Sequence, residues 1–291
     1  MQKLVYWLIF PLLWLVSLLP WKLFYLFSDF VCLIVYRIVG YRKRVVTDNL
    51  RNAFPNKSEK EIKKIRGKFY THMCDMFLEM IKSITISEKD IKKHYKFVNT
   101  DSLRKLEASG KSMVLLAGHY GSYEWSNSME LITPLRGVGV YKQIKNESFD
   151  KLVYKIRSRF GSEVIANKKI MRYALAKERE NKLKRYYGLV ADQAAKINDK
   201  TFWVNFLGRE VPAFVGGEVL AKKLDLNMAY LKVEKVKRGY YEAEVIIISE
   251  DIKTVPDFEA TEKYFKLLEN QIRNQPEYYL WTHKRWKHVK T

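Results

Sequence analysis

Residues 112–124 read SMVLLAGHYGSYE. An apolar run this short, closed by a glycine-rich turn, predicts a buried strand over 112–121, with a helix starting near Ser122. The chain downstream repeats the pattern in type. Strands are expected at 135–141, 163–165 and 185–190, each with a helix close by, at 147–160 and 171–181. A helix at 216–224, strands at 228–236 and 241–248, and a last helix at 261–274 complete the C-terminal half. Strands alternating with helices predict an α/β fold, a mostly parallel central sheet flanked by helices. In such sheets the working residues sit in loops beyond the carboxyl ends of the strands, and His119 occupies such a place.

Upstream, residues 41–54 (YRKRVVTDNLRNAF) read as a basic amphipathic helix stopped by Pro55. Ser58 with Glu61 three residues later forms a capping box for a helix to about Ile84, whose apolar positions Ile62, Ile65, Phe69, Met73, Met76, Phe77 and Met80 are read as core. A further helix is expected at 100–109.

The N-terminus carries eighteen residues without a charge, Leu4 to Trp21 (LVYWLIFPLLWLVSLLPW). As a helix they extend about 27 Å, near the lower limit for crossing a hydrocarbon core. Pro11 and Pro20 would kink such a span, so a bent or partly interfacial segment stays open beside a spanning one. No small-residue cleavage site follows, which disfavours a removable signal peptide. Arg37, Arg42, Lys43 and Arg44 follow the segment, and positive-inside bias then puts the remainder in the cytoplasm. The expected organisation is an anchor over 1–40 and a catalytic domain over 41–291 that folds without it.

With 53 Lys and Arg against 32 Asp and Glu, the net charge is +21. That surplus attracts nucleic acid, an anionic membrane or an acidic protein. The 19 Tyr and 7 Trp lean toward a bilayer interface. Trp281, Lys284, Arg285 and Trp286 form an aromatic–basic cluster that suits a lipid headgroup surface better than nucleic acid. Two cysteines, Cys32 and Cys74, make no disulfide scaffold and are read as free thiols.

Five histidines are present, and only His119 combines a strand end, flanking glycines Gly118 and Gly121, and a nearby acid, Glu124. In a His-x4-Glu arrangement the carboxylate can accept from one imidazole nitrogen while the other faces a substrate proton. The spacing also arises by chance, and a structural loop histidine is the alternative. His283 and His288 lack an acid at useful spacing and are read as surface residues. No G-x-S-x-G frame supplies a nucleophile, and no metal-ligand set is complete. Base catalysis on a substrate hydroxyl is what remains.

These residues, with NLRNAFP at 49–55, YKQIKN at 141–146, KIRSRFG at 155–161, GLVADQ at 188–193, FWVNFLG at 202–208 and YYLWTHKRWK at 278–287, resemble the lipid A late acyltransferases, the lauroyl and myristoyl transferases within the lysophospholipid acyltransferase group. The resemblance runs through nearly the whole chain. It implies a glycerol-phosphate-acyltransferase-like fold with His119 as general base and Glu124 as its partner. It assigns Arg157 and Asp192 to substrate binding together with Gly121, with Arg159 a weaker match to the same arginine. Arg157 would bind the acyl carbonyl or a phosphate. One departure is Ala194-Ala195 after Asp192-Gln193, where the family often has Asp-x-Gly, which leaves the loop's contacts and the acceptor open. The implied donor is an acyl chain on acyl carrier protein, the acceptor a hydroxyl of a lipid A precursor, and no cofactor or metal is implied. The implied location is a bacterial inner membrane, catalytic domain on the cytoplasmic face. The rival readings are an acyltransferase for a lysophospholipid or aminolipid, and a non-catalytic protein of anionic membrane surfaces.

Overall fold

The structure, a computed structural model, describes residues 2–287, with side chains from Tyr6 onward; His288 lies outside the described residues. The chain opens with α1 (Gln2–Leu18) and α2 (Trp21–Cys32), the latter running into a π-helical turn at Leu33–Ile38. Next come α3 (Lys43–Ala53), α4 (Glu59–Lys82), α5 (Glu88–His94), β1 (Tyr95–Phe97), α6 (Asp101–Ala108) and β2 (Met113–Ala117). A 3-10 stretch at Tyr123–Leu131 leads to β3 (Arg136–Tyr141), α7 (Glu147–Arg157), β4 (Glu163–Ala166), α8 (Ile170–Glu180) and β5 (Arg185–Val190). A hairpin, β6 (Trp203–Phe206) and β7 (Arg209–Pro212), precedes α9 (Gly216–Leu224), β8 (Asn227–Lys237), β9 (Tyr240–Ser249) and α10 (Glu259–Asn274).

Seven strands form one sheet in the order β1-β9-β8-β2-β5-β3-β4, parallel throughout except for the β8–β9 hairpin. The expected α/β fold with a mostly parallel sheet is therefore found. All five residues of β2 are buried, as a strand covered on both faces requires. They alternate between two cores: Val114 and Leu116 pack with α3, α4, α9 and α10 residues, whereas Met113, Leu115 and Ala117 pack with Ile91, Leu103 and Trp125 on the other face. The capping box at Ser58 and Glu61 is formed, and α4 starts where it predicts.

Two local features go beyond the expectation. The helix expected near Ser122 is found at Tyr123–Leu131, wound as a 3-10 helix. Trp125 is pinned through its indole N–H to the Glu79 carbonyl and the Ser83 hydroxyl, Ser128 bonds back to the Trp125 carbonyl, and Asn127 reaches the carbonyls of Ile156 and Arg157. Long-range anchors of this kind override local propensity. The β6–β7 hairpin was not expected; its turn residues Leu207 and Gly208 both have positive φ, the geometry of two-residue hairpin turns.

The N-terminal run is not one membrane helix. It breaks between Leu18 and Trp21, with Pro20 at the start of α2. Among the described residues no single helix is long and apolar enough to cross a membrane. The bent pair Trp21–Ile38 and Lys43–Ala53, meeting at 88°, has the combined length and composition. Both α1 and α2 lie on α4, and α1 also touches α7. The Lys82 ammonium donates to the Leu19 carbonyl and the Thr85 hydroxyl to that of Ser17. Buried Ser28 donates to buried Asp75, and Arg238 forks onto both Asp75 and Asp29. Facing away, Trp7, Leu8, Leu12, Leu15, Leu26 and Phe30 are exposed, a large apolar patch.

Candidate active site

Parallel pairing aligns β2 and β5 so that Ala117 lies opposite Val190. Two residues beyond each strand end stand His119 and Asp192, and the register brings them side by side. The Asp192 Oδ1 lies 2.6 Å from His119 Nδ1 and also accepts the His119 backbone N–H at 3.1 Å. With the Nδ1–H donated to the Asp192 carboxylate, Nε2 is left as the acceptor, and the Gln193 amide nitrogen is 3.3 Å from it. The glycines shape the turn. A Cβ on Gly118 would come within 2.5 Å of Leu268 Cδ1, and Gly121 has φ +59.

Asp192 is fully enclosed. Burial works against its charge, but the His119 imidazole, the Tyr279 hydroxyl and the Arg285 guanidinium outweigh it and hold the carboxyl down at about 2. Burial likewise opposes a charged His119, yet Asp192, with help from Glu124, raises the imidazole above its ordinary range; Arg157 works in the other direction.

Glu124 does not touch His119. Its carboxylate forms a two-pronged pair with Arg157, from Nε at 2.8 Å and from Nη2. The acid beside the imidazole is thus Asp192, which had been placed with substrate binding, and Glu124 is the partner of Arg157. Asn127 donates to the Ile156 and Arg157 carbonyls and so fixes the end of α7 that presents this arginine. Arg159 points elsewhere, bonding the carbonyls of Ile86 and Ile84. Gly121 has its N–H committed to the Tyr278 carbonyl, a structural contact within the turn.

Three residues at the site escaped the sequence reading. The Tyr123 ring stands edge-on to His119 with centroids 5.0 Å apart. Tyr279 is buried and helps to lower the Asp192 carboxyl, and its segment backs the turn through Leu280 N–H to the His119 carbonyl. His283, read as a surface residue, is half-buried and its Nε2 accepts the Ala194 N–H. Of the aromatic–basic cluster expected at a lipid surface, Trp281 and Arg285 are instead core residues. Only proximity in the sequence to His119 could have pointed to Tyr123; nothing local marked the others.

His119, Glu124 and Arg157 open onto a cleft of about 540 Å³, walled by Met76, Phe77 and Met80 of α4 and by Tyr141, Ile144 and Val153 around α7. A narrow arm of about 100 Å³, a separate cavity that shares Tyr123, Glu124, Val140 and Arg157 with this cleft, lies between Leu115, Tyr186, Leu189 and Leu231. It exists because Gly139 of β3 and Gly188 of β5 are register partners, so two adjacent strands leave this spot without side chains. A groove of about 620 Å³ between β1 and α6 is larger but holds no His–carboxylate pair. Among the described residues, no three His, Cys, Asp or Glu side chains are grouped to hold a metal ion.

The sequence model of the family described as bacterial lipid A biosynthesis acyltransferase matches residues 1–288. The chain is 22% identical over 283 residues to the lipid A biosynthesis lauroyltransferase of Escherichia coli K12, covering 97% of this chain and 90% of that one. It is 21% identical over 288 residues to the lipid A biosynthesis palmitoleoyltransferase of the same strain, covering 97% and 92%. The lipid A biosynthesis acyltransferase of Shigella flexneri matches to the same extent.

Proposed function

The chain belongs to the bacterial lipid A biosynthesis acyltransferase family, and from that premise we propose that it moves a fatty acyl chain from acyl carrier protein to a hydroxyl of a lipid A precursor with His119 as general base. The observation that carries this reading is the His119 imidazole, held on Nδ1 by Asp192 and opening with Nε2 toward an apolar cleft that also presents Arg157.

In the proposed reaction, His119 Nε2 takes the acceptor hydroxyl proton as that oxygen attacks the thioester carbonyl carbon. The anionic Asp192 stabilises the imidazolium that forms. Arg157 spends one edge of its guanidinium on Glu124; its other N–H groups are available to the oxyanion of the tetrahedral intermediate. When the C–S bond breaks, the imidazolium proton passes to the departing thiolate, so no covalent enzyme intermediate is needed. The narrow arm lined by Gly139 and Gly188 suits the acyl chain: it is apolar and shares Glu124 and Arg157 with the cleft.

The +21 charge supports recruitment of an acidic carrier protein and of a phosphorylated lipid. The exposed apolar faces of α1 and α2, tied to the α4 wall of the cleft, support seating on the cytoplasmic face of an inner membrane with residues 1–40 as the contact.

Transfer of labelled acyl chain from carrier protein to a lipid A precursor tests the reading. Folded His119→Ala should lose about 10²–10⁴ in rate, and Arg157→Lys should lose activity because a point charge does not replace the fork. Near-normal transfer by His119→Ala would discard the base assignment. An apparent KM for the carrier protein that ignores salt would discard that donor.

A further inference from the structure

A base that faces an open cleft has a second client, water. The His119 side chain is 17% exposed, so solvent reaches the ring. Nε2 of a neutral imidazole has one lone pair and takes one donor at a time. That donor is the Gln193 side-chain amide, 3.3 Å away, and among the described residues no other side chain bonds Nε2. The amide turns its nitrogen to the ring because an imidazole that donates from Nδ1 to Asp192 can only accept at Nε2. Its N–H therefore stands where the O–H of the acceptor sits during proton transfer.

The backbone places this amide there and little else. Asp192 is tied to His119 by two bonds. The Ala194 N–H reaches His283 Nε2 at 3.5 Å, and the Ala195 N–H reaches the Pro212 carbonyl of β7 at 3.4 Å. Gln193 is held between these anchored neighbours, while its side chain is exposed and lines the cleft. Ala194 and Ala195 add no polar side chain, so the turn offers the base a single hydrogen-bonding group. At 3.3 Å the bond is a long one. An acceptor lipid, held by the rest of its surface against the cleft, can displace the amide. A lone water has no such surface and would only exchange one hydrogen bond for another.

We propose that Gln193 is a specificity-determining residue for acyl transfer: its amide occupies the base until a hydroxyl-bearing lipid displaces it, and so keeps water from attacking the thioester. The inference rests on the reading of His119 as base. The reaction that Gln193 suppresses is hydrolysis. A water on Nε2 would give the ring a proton as its oxygen bonds to the carbonyl carbon. The C–S bond then breaks and that proton passes to the thiolate, leaving a free fatty acid and the carrier thiol. Water is smaller than any lipid, so the shape of the cleft does not exclude it.

The test uses the full chain with Gln193→Ala and Gln193→Met, and acyl carrier protein bearing a labelled acyl chain. Free fatty acid is measured without lipid, and the ratio of free acid to acylated lipid with a lipid A precursor present. Both variants lack the N–H, and Met keeps the length of the side chain. Each should melt as the original chain does, since Gln193 is exposed. Each should raise hydrolysis without lipid about 3–10-fold, the change expected for one lost hydrogen bond, and should raise the ratio with lipid as well. Adding His119→Ala to Gln193→Ala should abolish the gain. Unchanged hydrolysis in Gln193→Ala overturns the proposal. So does a gain that is absent in Gln193→Met, because bulk rather than the amide then guards the base. A variant that no longer melts cooperatively overturns it too, since the residue is then structural. A gain that survives in the double variant removes the base reading of His119 instead.

Discussion

His119 and Asp192, seventy-three residues apart, are joined twice through one oxygen: Asp192 Oδ1 faces the imidazole Nδ1 at 2.6 Å and the His119 backbone N–H at 3.1 Å. The double contact fixes ring orientation and tautomer together, because the backbone bond positions the carboxylate that the ring then meets. Glu124, five residues from His119 in the chain, instead holds Arg157.

Exchanging the two acids should separate their roles. Asp192→Asn is expected to cost about 10³–10⁴ in kcat, the scale seen when the orienting acid of a triad becomes an amide. Glu124→Gln should act through a loosened Arg157 and cost less. Rates measured on folded variants, checked by circular dichroism, decide it; a larger loss for Glu124→Gln would return the partner role to that residue.

The raised imidazole sets the pH dependence. A general base works when neutral, so kcat/KM should fall as pH drops through a value above the ordinary 6.5 of histidine. In Asp192→Asn that inflection should move downward. Stability follows the opposite group in acid. The carboxyl of Asp192 titrates at about 2 against an ordinary 3.8, so its contribution is present above 3.8 and is lost as pH falls toward 2. The raised His119 contributes below 6.5 and loses that contribution as pH rises through its folded value. Unfolding free energy against pH for the original chain and Asp192→Asn reads both limbs, which should be flatter in the variant.

Filling the narrow arm should change which chains are transferred. A Cβ at Gly188 would lie 3.9 Å from the nearest heavy atom, the Val138 carbonyl oxygen, so the backbone tolerates a side chain. Gly188→Val is expected to fold and to prefer shorter acyl donors, with discrimination of about 10–200-fold per excluded methylene. Competition between donors of two lengths measures the ratio; an unchanged ratio would place the acyl chain elsewhere.

The N-terminal helices are expected to be needed for folding. Phe24 and Ser28 of α2 are wholly buried, and Asp75 joins Ser28 to Arg238. Asp75→Ala leaves Arg238 and Lys235 without their shared acid and should cost about 3–5 kcal/mol. A chain lacking residues 1–40 should expose that surface and aggregate even in detergent. Recovery of a monomeric, cooperatively melting 41–291 fragment would contradict this and support an independent anchor.

The sequence alone determined the elements whose signals are local. The apolar run of β2, the capping box at Ser58, the helix at 216–224 and the long strands β8 and β9 are written in periodicity and end chemistry, which depend on neighbours a few residues away. It also isolated His119, because a strand end, two glycines and a polar turn are contiguous features. The unexpected β6–β7 hairpin shows the limit of such signals: its strands are four residues each, and its Leu-Gly turn is a weak marker. Tertiary structure alone decided the partnerships. Spacing favoured Glu124 for His119, but a 3-10 turn anchored by Trp125 and Asn127 aims Glu124 at α7. The β2–β5 register, a property of two strands far apart in the chain, delivers Asp192 in its place. Burial was decided the same way. Nothing within a few residues of Arg285 says that Phe206 and Phe265 will close around it, since a cation's solvation depends on which distant surfaces the fold brings against it.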